Sequence, residues 1–327
     1  VMGYVETLEA CLSHPHYKAP LKKLQGRGYA SGFWFNAGGE SSAQVNITED
    51  GNVAVTTGHP DIGGSRASIA NITAELLGID INRVSVLIGD TATIGFSNLT
   101  GGSRVLFASA LVVTESTNQV IDILKDRASK IWNIDKEAIE WENGEARPAG
   151  DNAGKFKPLT LVELAEKATP TGGPIGAGHQ VNTVGAEGGF ATHICDVEVD
   201  IELGIARVIR YTAAQDVGKA IHPAYVEGQL QGGVVQGIGW ALNEEYIYNK
   251  DGKLDNPGFL DYRIPVCSDL PMIDTILVEV PNPQHPQGVR GVGEVPIVPP
   301  LSAIANAIYN AIGTRFYSLP MSPPKVL

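Results

Sequence analysis

The chain has 327 residues, a formal charge of -12 and a hydrophobic fraction of 43%. That length suits two domains with cores of their own, and the acidic balance argues against nucleic acid or an anionic membrane surface as a partner, since both demand clustered Lys and Arg. Three scattered cysteines, Cys11, Cys195 and Cys267, offer neither a disulfide framework nor a CxxC metal motif, which points to a reducing cytoplasm.

In chain order, residues 1–26 read as a short helix and a loop, without the basic start and apolar run of a signal peptide. Residues 42–48 and 52–57 alternate into a hairpin across Glu49-Asp50-Gly51. Ser65 opens a helix to about Leu77, with Ile69, Ile72, Leu76 and Leu77 on its apolar face and Gly78 as its stop. Residues 84–88 form a short strand, and a long helix follows from about Arg104 to Ile131. Thr160 and Glu163 make a capping box for a helix to about Lys167. The Gly/Pro-rich stretch 170–182 is the expected domain boundary. Beyond it, strands 193–201 and 205–213 flank a Glu202-Leu203-Gly204 turn. Residues 223–243 read as a helix despite five glycines, each costing up to about 1 kcal/mol against alanine; such a sequence is tolerated when something must approach the helix closely. Ser302 caps the last helix, whose buried stripe is Ile304, Ala305, Ile308 and Ile312. The expected class is α+β, and no run of eighteen or more apolar residues predicts a membrane span.

The 38 glycines cluster. GHPDIGG (58–64), TGGS (100–103), TGGPIGAG (171–178), EGQLQGGVVQGIG (227–239) and QGVRGVGE (287–294) stand between apolar elements. Any one cluster is explained by turns, but five together favour a large phosphate-bearing ligand held by backbone amides. There is no Walker loop, HExxH or GxSxG. Pro174 and Pro296 break the context that a dinucleotide fingerprint needs. His14 with His16, and His193 with Cys195, are spaced to share one face of an extended segment, but without a third ligand they read as structural. Glu294 follows three glycines within seven residues and is bracketed by Val292, Val295 and Ile297. A carboxylate in apolar surroundings can serve as a proton acceptor near neutrality; a surface-loop carboxylate is the equal alternative on composition alone.

Read together, GHPDIGG, TGGSR, EGQLQGGVVQGIG, LDYRIP (260–265) and RGVGEVP resemble the molybdopterin-binding half of the xanthine oxidase and aldehyde oxidoreductase family over about residues 27–327. The resemblance implies two mixed α/β subdomains, 27–175 and 176–327, the second carrying the catalytic glutamate. It implies that Glu294, in the family's G-x-G-E-x-P context, is the active-site base facing the metal, and that Gln229 contacts the pterin. Thr100, Gly101, Gly102 and Ser103 match the loop beside the cofactor phosphate. Gly63 and Gly64 match the D-I-G-Q-G turn, here lacking its glutamine. Phe33, in GFWF, falls where some members stack an aromatic near a heteroaromatic substrate.

The implied cofactor is molybdenum in molybdopterin cytosine dinucleotide with a terminal sulfido or selenido ligand, the metal being held by the pterin dithiolene and not by protein side chains. Family catalytic chains begin with a comparably large molybdenum-binding segment that is not found here, so a divided catalytic unit is expected. Such a division resembles the medium chain of the nicotinate dehydrogenase branch. The implied partners are a large molybdopterin subunit, an iron–sulfur subunit with [2Fe-2S] clusters and an FAD subunit, passing electrons on to an acceptor such as NADP. The implied reaction is hydroxylation of a small heteroaromatic substrate, nicotinate to 6-hydroxynicotinate, with water as the oxygen source. The alternatives are a xanthine, aldehyde, carbon monoxide or hydroxybenzoyl-CoA enzyme of the family, or a non-catalytic subunit that covers a partner's cofactor.

Overall fold

The computed structural model describes residues 2–90, 92–184 and 186–327. In chain order the elements are α1 (Tyr4–Ser13), β1 (Gln25–Asn36), β2 (Gly39–Ile47), β3 (Val53–Thr57), α2 (Ser65–Leu77), β4 (Val84–Ile88), α3 (Val105–Trp132), β5 (Ile139–Glu142), β6 (Glu145–Pro148), β7 (Leu159–Thr160), α4 (Leu161–Glu166) and α5 (Ala168–Thr171). There follow β8 (Ile175–Thr183), β9 (Ala186–Asp200), β10 (Ile205–Asp216), α6 (Pro223–Leu242), β11 (Ile273–Val278), α7 (Val298–Ile312) and α8 (Pro323–Val326).

Two compact units share the chain: one holds residues 1–36, 187–284 and 288–327, the other residues 37–186 and 285–287. The linear division at 175/176 read from the sequence is therefore displaced. The reason is strand pairing. Residues 175–183 are β8, which pairs antiparallel with β2, whereas β1 adds to a sheet of order β1-β9-β10-β11. The amino-terminal segment 1–26 likewise belongs to the first unit.

In the second unit the hairpin forms as its alternation predicts, with Ala43 opposite Thr57 and Ile47 opposite Val53. A crossover through α2 sets β4 parallel to β3, as parallel neighbours require. Gly78, at φ 68°, closes α2. Val112, Val113, Val120 and Leu124 of α3 join Val45, Val55, Ile69 and Leu77 in one buried cluster. The capping box of Thr160 and Glu163 is present.

In the first unit β9 and β10 pair antiparallel, and β11 returns parallel to β10. Helix α7 lies on β1, where a Cβ at Gly26 or Gly28 would run into the backbone of Ala307 or Ala303. Side-chain-free positions thus admit helix backbone directly onto strand backbone. The helix starts at Val298, four residues before Ser302, which lies inside it. Pro299 and Pro300 explain the early start: fixed φ and no donor suit a first helical turn. The segment Val295–Ile312 has the length and average apolarity of a membrane-crossing helix, although Ser302, Asn306 and Asn310 interrupt it, so no uninterrupted apolar run arises. Here it is a core helix, with Ala303, Ile304, Ala307 and Ile308 fully buried beside Val234 and Ile238 of α6.

Candidate functional site

The loop carrying Glu294 runs from the end of β11 to a short 3-10 turn, Val295–Ile297, that leads into α7. Glu294 caps that turn by position and is half-buried, while Val295 behind it is 1% exposed. Three side chains from strand ends fix the loop. Asn36 Oδ1, closing β1, accepts from Gly291 N at 2.8 Å. Gln215 Nε2, near the end of β10, donates to Val292 O at 3.0 Å. Asp216 meets Arg290 Nε at 3.1 Å, both side chains fully buried.

Backbone pairing extends the same frame. Gly218 bridges Val289 in antiparallel fashion, and Lys219 N and Asn282 N both donate to Gly288 O. From below, α6 carries the loop on its glycines. A Cβ at Gly233 would clash with Pro296, and one at Gly237 would stand 2.6 Å from Pro300. These glycines are the close approach that the sequence implied, and their occupant is the chain leading away from Glu294. Gly228 and Gly232, by contrast, face open space. Gln229 lies on the same helix, half-buried.

Phe33 is 43% exposed, with its ring 5.1 Å from Phe190 and tilted by 49°. Its neighbour on β9 is Gly188, where a Cβ would stand 2.8 Å from Phe33 Cε2. The carbonyl of Gly188 accepts from Arg290 Nη1 at 3.2 Å. A Cβ on Gly189 would stand 3.5 Å from Val295 Cγ2. The pair Gly188-Gly189 thus brings Phe33 and the Glu294 loop to one stretch of β9. Sequence reading missed that stretch, together with Asn36, Gln215 and Asp216. The signal was there: a glycine pair inside a strand marks the close approach of another element.

The remaining designated residues lie in the second unit. Gly63 and Gly64 are both left-handed (φ 63° and 76°) and directly precede α2. Gly102 and Ser103 are also left-handed (φ 65° and 52°) and precede Arg104, which opens α3. Thr100 is exposed, and Gly101 to Ser103 are half-buried. The first turn of α2 already holds a carboxylate, because Asp61 accepts from Arg66 N at 3.0 Å. No N-cap side chain caps α3. Arg104, 2% exposed, ties the loop down by donating to the carbonyls of Gly38, Glu40, Asn98 and Leu99 and to Ser41 Oγ. An uncapped helix start beside consecutive left-handed residues is suited to an anionic group.

The histidine pairs are structural. His16 meets Thr212 Oγ1 at 2.8 Å and the buried Asp196 at 3.1 Å, and the same carboxylate accepts both arms of Arg27 at 2.7 Å. His193 Nδ1 faces Tyr211 OH at 2.9 Å, and burial pushes its pKa down to about 3. Among the described residues no three His, Cys, Asp or Glu side chains cluster as metal ligands. LDYRIP borders an open groove of about 1810 Å³ with Arg207, Tyr246 and Phe259, and none of the designated residues of this unit lines that groove.

Residues 14–271 match the family model described as molybdopterin cofactor-binding domain. The chain is 29% identical over 311 residues to the xanthine dehydrogenase molybdenum-binding subunit of Escherichia coli O157:H7, covering 91% of this chain and 40% of that protein. It is 29% identical over 299 residues to the nicotine 6-hydroxylase large subunit of Paenarthrobacter nicotinovorans, covering 88% of this chain and 36% of that one. Quinoline 2-oxidoreductase from Pseudomonas putida 86 superposes with a TM-score of 0.83 at 25% identity, over 98% of this chain and 42% of that one. The chain thus spans about two-fifths of the length of the curated relatives it matches.

Proposed function

The chain belongs to the molybdopterin cofactor-binding domain family, within the xanthine oxidase group, and from that premise we propose that it forms part of the cofactor site of a molybdenum hydroxylase with Glu294 as the base. The supporting observation is the setting of Glu294: a half-buried carboxylate at the end of a loop pinned by Asn36, Gln215 and Asp216. Pinning of this kind is what a proton acceptor needs to meet its substrate in one geometry.

The donor set fits a pterin dinucleotide. The uncapped start of α3 and the left-handed residues 102–103 suit phosphates, and the half-buried Gln229 side chain makes no hydrogen bond among the described residues that would compete with a ligand. Within the second unit, Thr100, Gly101, Gly102, Ser103, Gly63 and Gly64 would be the residues suited to phosphate; within the first, Gln229 would be the residue suited to a pterin. When bound, the molybdenum cofactor supplies the oxygen-transfer and two-electron chemistry. In the net reaction the substrate carbon exchanges hydrogen for hydroxyl from water, and two electrons and two protons leave. Glu294 accepts one of those protons at a carboxylate oxygen. The electrons pass to iron–sulfur and FAD partner subunits, and a large molybdopterin subunit completes the site.

The substrate in this reading is a small heteroaromatic, nicotinate first, with Phe33 offering the face of its ring. The test is Glu294→Gln in the assembled enzyme. Loss of a positioned base slows turnover by about 10²–10⁴-fold. Molybdenum content stays near normal, because the pterin and not Glu294 holds the metal. Retention of more than about a tenth of wild-type turnover with full metal removes the base assignment.

A further inference from the structure

The loop before Glu294 is held by a device that the proposed chemistry does not itself require. Asp216 is fully buried and accepts from three donors: Gly3 N at 2.8 Å, Gly218 N at 3.0 Å and Arg290 Nε at 3.1 Å. Arg290 is equally buried; its Nε also reaches Val280 O at 3.3 Å, its Nη1 donates to Gly188 O at 3.2 Å, and Glu187 lies 3.8 Å from Nη1. One guanidinium therefore bridges β9, the end of β10 and the exit of β11.

A loop this rich in glycine has few side chains of its own to pack: Val289 is buried and Val292 lies against Val217 and Leu230. Between Gly288 and Glu294, where Gly291 and Gly293 also lie, Arg290 is the one long side chain. A desolvated ion pair is a poor source of stability, since apolar residues of similar size often do as well, but it imposes one register. The register is legible here. Arg290 docks only where Asp216 ends β10, and Gly291 N and Val292 O then fall on Asn36 and Gln215.

We propose that Asp216 and Arg290 are positioning residues whose buried ion pair sets the location of Glu294 for proton transfer. The inference rests on the reading of Glu294 as the base. Arg290 does not act on substrate; its influence passes through the backbone of residues 291–294. Gly188, which receives Arg290 and lies against Phe33, puts the aromatic residue under the same control.

The experiment uses the assembled, molybdenum-loaded enzyme and begins with the unmodified protein. Amide exchange across residues 288–292 should be as slow as in β10, and fast exchange there overturns the proposal whatever the variants do. Asp216→Asn keeps the shape and removes the charge; Arg290→Lys keeps the charge and removes the fork. Each should lower kcat by about 10–100-fold, the scale of an ångström-sized misplacement, with KM within about threefold and molybdenum content unchanged. Each should also speed exchange at 288–294 and leave β2 and β3 as they were. Added to Glu294→Gln, either change should lower the residual rate by less than about twofold, since residues acting through one group are non-additive. Equal losses in both backgrounds, or unchanged kcat with a loosened loop, overturn the positioning role. If Glu294→Gln alone keeps full turnover, the base reading fails and the proposal resting on it falls too, although slow exchange would still show the loop to be pinned.

Discussion

Helix α6 offers a test in which one substitution should stabilise at one position and fail to stabilise, or destabilise, at another on the same helix. Gly232 faces open space, so Gly232→Ala adds a methyl group without a clash and should gain the helix propensity difference, about 0.5–1 kcal/mol. Gly237 is closed off: a Cβ there lies 2.6 Å from both Cβ and Cγ of Pro300 and 3.1 Å from Ile297 O. A proline ring in the first turn of a helix cannot swing aside, and forcing a methyl into a packed contact typically costs about 1–3 kcal/mol. Set against the same propensity gain, Gly237→Ala should be neutral to destabilising by about 2 kcal/mol. The two variants then differ by about 1–3 kcal/mol, at roughly 2–4 °C of melting temperature per kcal/mol for domains of this size. Parallel thermal scans of the two variants and wild type, at matched concentration, measure the gap. Because Ile297 and Pro300 lead away from Glu294, turnover should fall with Gly237→Ala and not merely melting temperature. Equal melting temperatures for the two variants would refute the reading of α6 as a seat for the Glu294 segment.

Three further expectations follow from other contacts. Phe33→Ala should lower kcat/KM for a heteroaromatic substrate by about 2–12-fold, the equivalent of about 0.5–1.5 kcal/mol of lost stacking; an unchanged specificity constant removes Phe33 from the substrate face. His59, His193 and His285 are held neutral by burial, with pKa values pushed down to about 4, 3 and 4. The unfolded chain takes up protons below about 6.5 while the folded chain does not, so the stability these groups contribute is complete above that pH and is lost as pH falls towards 4. Denaturation midpoints for His193→Gln should show a shallower acid slope than wild type, and an identical slope would argue against this linkage. Arg104→Gln frees five acceptors around residues 38–41 and 98–99 and should lower molybdenum content more than turnover per bound molybdenum, which metal analysis beside steady-state rates would separate.

Much of the fold was legible in the sequence because local chemistry agrees with the tertiary answer. The β4 strand, the α2 stop at Gly78 and the Thr160–Glu163 box all form where their residues imply. What failed was whatever depended on residues far apart in sequence. The boundary could not be placed because β1 belongs with strands some 160 residues later, and no periodicity reports a partner. Strand β9 begins at Ala186, seven residues before the expected start, because Gly188 and Gly189 read as loop in isolation. They are extended since Phe33, Asp216 and Val295 press close to them.

The site divides along the same line. Glu294 could be singled out from its neighbours, since an acid among glycines and valines is unusual wherever it sits. Its supports could not. Asn36, Gln215 and Asp216 end apolar strands and look like ordinary polar strand caps; their role lies in meeting residues 290–292, some 75 positions or more away. Fully buried polar side chains at strand ends demand partners, and in a glycine-rich loop those partners are backbone groups that no residue pattern records. Glycine therefore carries two meanings in this chain. Gly228 and Gly232 leave a helix surface open, whereas Gly233 and Gly237 admit the segment that follows Glu294. The sequence writes both alike, and only the packing of Pro296 and Pro300 tells them apart.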